Sequence, residues 1–154
     1  KGGQWEQALL LLGKMRKASM ASDVISFMSA ISACEKQGQW EQALSLLSEM
    51  RGAGWNPNII TFSAIISACE KGMQWEQAMS LLDEMKQAGV TPNVISYSAA
   101  VSACEKAAHW EAVLPLLLEM KQMGCTPNVI TFSAGISACE KGGQWEHAEL
   151  LLNR

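Results

Sequence analysis

Lys36, Lys71, Lys106 and Lys141 stand 35 residues apart, each directly after a glutamate, at Glu35, Glu70, Glu105 and Glu140. Ser63, Ser98 and Ser133 keep the same interval, with Met28 in the corresponding place of an earlier copy. Asn58, Asn93 and Asn128 keep it too, as do Ile25, Ile60, Ile95 and Ile130. An ammonium offers three donors and a charge, a hydroxyl donates and accepts, and a carboxamide carries one group of each kind. The chemistry open to this set is non-covalent recognition, repeated at intervals. Each member also has a plainer use. A lysine favours a helix C-terminus through the dipole, a serine allows close packing, and an asparagine caps a helix.

Catalytic and metal-site patterns are missing from the sequence. His109-Trp110-Glu111 and His147-Ala148-Glu149 match the H-x-E half of a zinc deaminase, but no P-C-x-x-C follows. No Cys–His spacing suits zinc, and no glycine-rich phosphate loop follows a strand. No enzyme, cofactor, metal or small-molecule substrate is expected.

The elements that position the recurring residues are set by the same period. Ser67 to Ala78 returns nearly letter for letter at Ser32 to Ala43, Ser102 to Ala112 and Ser137 to Ala148. Trp5, Trp40, Trp75, Trp110 and Trp145 lie 35 residues apart, and so do Cys34, Cys69, Cys104 and Cys139. A fixed period of this length marks a repeat array. Phe62, Ile65, Ile66 and Cys69 form one helical stripe, and Trp75, Ala78, Met79, Leu82 and Met85 form a second. Gly72 between them is expected to stop the first helix, with a weaker stop where Ala107 replaces it. Asn56-Pro57-Asn58, Thr91-Pro92-Asn93 and Thr126-Pro127-Asn128 break the chain and supply N-caps, with Asp23 in that role earlier. Met20, Trp55, Val90 and Cys125 should cover those turns. Pro115 should bend the second helix of its unit, because it removes a backbone donor.

The expected fold is all-α, a right-handed α-solenoid of stacked helix-turn-helix hairpins with about nine helices. Residues 1–23 read as the second half of a preceding unit, 24–58, 59–93 and 94–128 as units, and 129–154 as an incomplete one. The chain therefore reads as a fragment of a longer array. Net charge is −3 at pH 7 and the pI is about 5.4, so there is no global attraction to a polyanion. No apolar run approaches the ~18 residues of a membrane helix. The cysteines fall at equivalent places in successive units and are expected to be buried free thiols rather than disulfides.

At ~100° per residue, Ile60, Ser67 and Lys71 fall within about 20° of one line, with Ser63 about 60° away. Each unit thus offers an aliphatic plate, a hydroxyl and an ammonium on one face, while Phe62 and Ile66 point into the stack. A 35-residue helical hairpin with Val129-Ile130-Thr131-Phe132-Ser133 at its start and Pro127-Asn128 just before it resembles the pentatricopeptide repeat, in its pure, uniform-length class. The likeness runs through the whole chain.

The resemblance implies single-stranded RNA binding, one base per unit, in organellar RNA processing, stability, editing or translation. It implies residence in a mitochondrion or chloroplast, with protein factors as further partners. It assigns base reading to Met28, Asn58, Ser63, Asn93, Ser98, Asn128 and Ser133. It assigns base packing to Ile25, Ile60, Ile95 and Ile130, and phosphate contact to Lys36, Lys71, Lys106 and Lys141. In the family's code, serine with asparagine favours adenine, which gives two adjacent adenines for Ser63 with Asn93 and Ser98 with Asn128. The N-terminal end lies toward the RNA 5′ end. Met28 lacks the donor and acceptor of the usual residue, so its unit has no assigned base. Ser133 implies a purine, and its partner lies past Arg154. The alternative is a helical scaffold that binds protein, which the acidic balance and the near-identity of the copies also suit.

Overall fold

The computed structural model describes residues 3–18, 23–144 and 146. Among them are eight α-helices and no strand: α1 (Gln4–Lys17), α2 (Val24–Lys36), α3 (Trp40–Gly52), α4 (Ile59–Lys71), α5 (Trp75–Gln87), α6 (Val94–Lys106), α7 (Trp110–Gln122) and α8 (Val129–Lys141). The ninth helix expected from Trp145 onward, the His147–Glu149 motif and Met20 lie outside the described residues.

Each first helix starts on a side-chain cap. Asp23 accepts from the Ser26 N–H at 2.8 Å and from the Ser26 hydroxyl at 2.7 Å, and the hydroxyl bond above all lowers its pKa. Asn58 Oδ1 accepts from the Ile60 and Thr61 N–H groups, both at 3.0 Å. Asn93 and Ser96 form a reciprocal capping box, and Asn128 accepts from the Thr131 N–H at 2.9 Å. Such caps satisfy donors that the first helical turn leaves open, worth ~1 kcal/mol each.

The hairpin turn differs from the sequence expectation by one residue. Gly72 has φ −81°, which any residue can adopt. The left-handed residue is the next one: Gly38, Met73, Ala108 and Gly143, with φ between 56° and 67°. There the chain folds back so that the N–H of Gln39, Gln74, His109 and Gln144 donates to the carbonyl of Cys34, Cys69, Cys104 and Cys139, a wide bond that closes the helix end. Gly72 leaves room for a ring instead: a Cβ there would run into Trp40, as one at Gly142 would into Trp110. Ala107 ends α6 in the same register as the other copies, so the weaker stop expected of it is not seen.

Both predicted stripes face the interior. Phe27, Phe62, Tyr97 and the four repeating cysteines are buried, as are Met50, Met85, Met120 and the leucines Leu46, Leu82 and Leu117. Burying one such leucine, phenylalanine or methionine contributes ~1.5–3 kcal/mol. The cysteines are free thiols. Burial pushes Cys69 and Cys104 up to about 11 and raises Cys34 and Cys139 as well.

The two helices of a hairpin play different parts. First helices α2, α4, α6 and α8 pack directly on one another in a row. Each of α3, α5 and α7 packs on its own first helix and on the next one, while consecutive second helices do not approach at backbone level. Pro115 sits exposed in α7, which runs on through it. The first turn of α7 tightens, with Ala112 N–H donating to His109 O, where Ala43 and Ala78 reach back four residues to Gln39 and Gln74.

Candidate nucleic-acid interface

The row of first helices carries the sequence-predicted residues to one side. Ile25, Ile60, Ile95 and Ile130 are 60–72% exposed, although their neighbours in the same helices are core. Four aliphatic plates on one line, outside any core, are free to stack against a ligand. Between the plates lie clefts. One brings together Met28, Ile60, Ser63, Asn93 and Ile95. The next brings together Ile95, Ser98, Asn128 and Ile130. A third, nearer α1, is lined by Ile25, Met28, Lys36 and Ile60. Each serine therefore shares a cleft with the asparagine 30 residues on, and two successive isoleucines flank the pair.

Serine and asparagine are also bonded to each other. The Ser63 hydroxyl donates to Asn93 Oδ1 at 3.4 Å. In the next cleft the link runs through Thr131, whose hydroxyl shares a hydrogen bond with that of Ser98 at 2.9 Å and donates to Asn128 Oδ1 at 2.8 Å. In both clefts Oδ1 is committed to the protein, because it is also the helix cap. The opposite end of the carboxamide, Nδ2, keeps two donors for something outside the chain. Ser63 is only 6% exposed and sits at the bottom of its cleft, whereas Ser133 and Asn128 are exposed.

Lys71, Lys106 and Lys141 do not stand free. Lys71 Nζ donates to Glu35 Oε1 at 2.6 Å and to the Glu35 carbonyl at 3.0 Å. Lys106 meets Glu70 at 2.6 Å and Lys141 meets Glu105 at 2.5 Å. The same carboxylates accept from Ser102 at 3.0 Å and Ser137 at 2.8 Å. The Lys141 bond above all holds the Glu105 carboxyl below its usual pKa; burial opposes it, and the Ser137 bond adds to the lowering. In sequence each glutamate neighbours the lysine that follows it. The contact is with the lysine 36 residues on, and the signal was the period itself, which lays one unit's Glu beside the next unit's Lys.

A second ladder ties the outer helices with reversed polarity. Arg51 pairs with Glu84, and Lys86 pairs with Glu119 at 2.5 Å and with Asp83 at 2.8 Å. Burial alone would depress the Lys86 ammonium, but its bonds to Asp83 and Glu119 outweigh that and raise it. Among the described residues no cluster could hold a metal ion, and no helix is long and apolar enough to cross a membrane.

Family models match along this array. A pentatricopeptide repeat domain covers residues 80–141, a PPR repeat family covers 22–71, and a single PPR repeat covers 60–90. The chain belongs to the pentatricopeptide repeat family. Solved structures agree on the fold. The PPR domain of Arabidopsis thaliana protein-only RNase P 1, solved in complex with tRNA, superposes with a TM-score of 0.86 at 16% identity, over 99% of this chain and 80% of that one. Nuclear proteinaceous RNase P 2 of A. thaliana superposes with 0.87 at 14%, over 97% of this chain and 34% of that one. At those identities the likeness speaks for the fold alone. PPR10 from maize is 29% identical, with a TM-score of 0.79 over 98% of this repeat array. PPR10 in complex with an 18-nt psaJ RNA element is 26% identical, with 0.72. The array spans 22–26% of those PPR10 chains. No curated protein sequence matches it.

Proposed function

We propose that this pentatricopeptide repeat array binds single-stranded RNA along its row of first helices, one base per cleft, and acts in organellar RNA processing, stability, editing or translation. The observation that carries this reading is the repeated cleft in which a serine and a capping asparagine lie between two exposed isoleucines. A base slotted between Ile60 and Ile95 meets Ser63 and Asn93, and one between Ile95 and Ile130 meets Ser98 and Asn128. The asparagine presents donors to a ring nitrogen, and unstacked bases expose those edges only in single strands. The family's code makes both positions adenine. Lys36, Lys71, Lys106 and Lys141 are assigned the phosphates. PPR10, above 25% identity to this chain, has been solved in complex with an 18-nt psaJ RNA element. Mitochondrial or chloroplast residence, and any accessory protein factors, rest on family membership.

The working mode is occupancy. A bound segment is kept unpaired and shielded, and no bond is made or broken by these residues. The protein-scaffold alternative predicts that a peptide takes the same face and that RNA does not compete. Electrophoretic shift with A-rich, C-rich and U-rich oligonucleotides, each single-stranded and as a duplex, tests the proposal. Retardation of single-stranded A-rich RNA ahead of the others is expected. Equal retardation of all, duplexes included, contradicts it.

A further inference from the structure

The lysine ladder is neutralised from within. Across three junctions the ammonium of one hairpin lies 2.5–2.6 Å from the carboxylate of the hairpin before it. We propose that Glu35, Glu70 and Glu105 compete with RNA phosphate for Lys71, Lys106 and Lys141, so that each phosphate contact is an exchange of partners and the array selects RNA by its bases rather than by its charge. This rests on the RNA-binding reading above.

Two features support competition. The pairs are partly solvent-exposed, with the lysines at 37–46% and the glutamates at 17–25%, and ion pairs in that setting are held weakly enough to open. Each lysine already spends a donor on the preceding unit's glutamate, and Lys71 spends two of its three N–H groups on Glu35.

The exchange has a definite signature in salt. A free lysine that binds a phosphate releases a condensed cation, which makes affinity fall with added salt. A lysine that first leaves a carboxylate gives a different balance, because the stranded carboxylate takes a cation up. The two cancel, and the junction adds almost nothing to the slope. Asn93 and Asn128 are untouched, so discrimination between bases persists.

The test compares the chain with its Glu35→Gln/Glu70→Gln/Glu105→Gln variant, by fluorescence anisotropy with an A-rich oligonucleotide across a salt series. Glutamine keeps an oxygen that accepts from Ser102 and Ser137, so the junctions stay bridged. Affinity at low salt should rise several-fold. The slope of log K against log salt should steepen by about 0.7 per freed lysine, roughly 2 in all. If the triple variant does not fold by circular dichroism, Glu105→Gln alone should give about 0.7, and adding Lys141→Ala should return the slope to that of the parent. An unchanged or shallower slope in a folded variant overturns the proposal and makes the glutamates simple struts. RNA binding by the parent separates that failure from failure of the RNA reading, which would show as no binding by either protein.

Discussion

Ser63 donates to the capping oxygen of Asn93 at 3.4 Å, thirty residues along the chain and one hairpin away. One asparagine oxygen thus caps the start of α6 and ties two units together, which fixes the direction in which its Nδ2 donors point. Asn93→Ala removes both roles. It should lower stability by ~1 kcal/mol through the lost cap, and it should abolish adenine preference at that cleft alone. Thermal unfolding reads the first and a four-base oligonucleotide panel the second.

Tyr97 replaces the phenylalanine of Phe27, Phe62 and Phe132, and its hydroxyl reaches Glu119 at 2.9 Å. Burial first, then Glu119, pushes its pKa up. Tyr97→Phe should cost ~1.5–3 kcal/mol, the value of a bond to a charged acceptor, because the neighbouring copies show that the ring itself fits. Chemical denaturation should register that loss with an unchanged m-value, and RNA affinity should stay within twofold.

The turn residues should respond in opposite directions. Met73 and Ala108 hold left-handed φ values of 56° and 57°, a conformation that disfavours a side chain by ~1–2 kcal/mol. Met73→Gly should therefore raise the unfolding midpoint, by ~0.5–1 kcal/mol after the entropy that glycine restores to the unfolded chain. Gly72→Ala should lower it by ~1–3 kcal/mol through the clash with Trp40. Denaturant titration of the two variants checks both signs.

The thiols set an alkaline limit. Burial raises Cys69 and Cys104 to about 11, from an ordinary thiol value of 9.0. Above pH 9 the unfolded chain sheds thiol protons that the folded chain still holds, so stability is level below pH 9 and falls from there toward pH 11. Cys69→Ala/Cys104→Ala should flatten that fall, at the expense of a lower plateau from lost packing. A melting-temperature series across pH 8–11 shows it.

The hairpins, their caps and both core stripes were legible in the sequence, because a 35-residue period repeats every local signal several times. What escaped it lies between units. The glycine at position 72 answers to the Trp40 ring, and the lysines answer to glutamates 36 residues away. Helical phase alone put Ser63 on the open face, and neighbouring hairpins close over it to leave 6% exposed. Local pattern gives the direction in which a side chain sets out, and only the stacked neighbours decide what it meets.

The most direct measurement is the base preference of one altered cleft. Oligonucleotides differing only at the nucleotide assigned to Ser98 and Asn128 should be bound by the parent chain with adenine preferred. Ser98→Asn should move that preference to cytosine at this nucleotide and leave its neighbour unchanged. The same order of affinities before and after the substitution would contradict one-base-per-cleft reading.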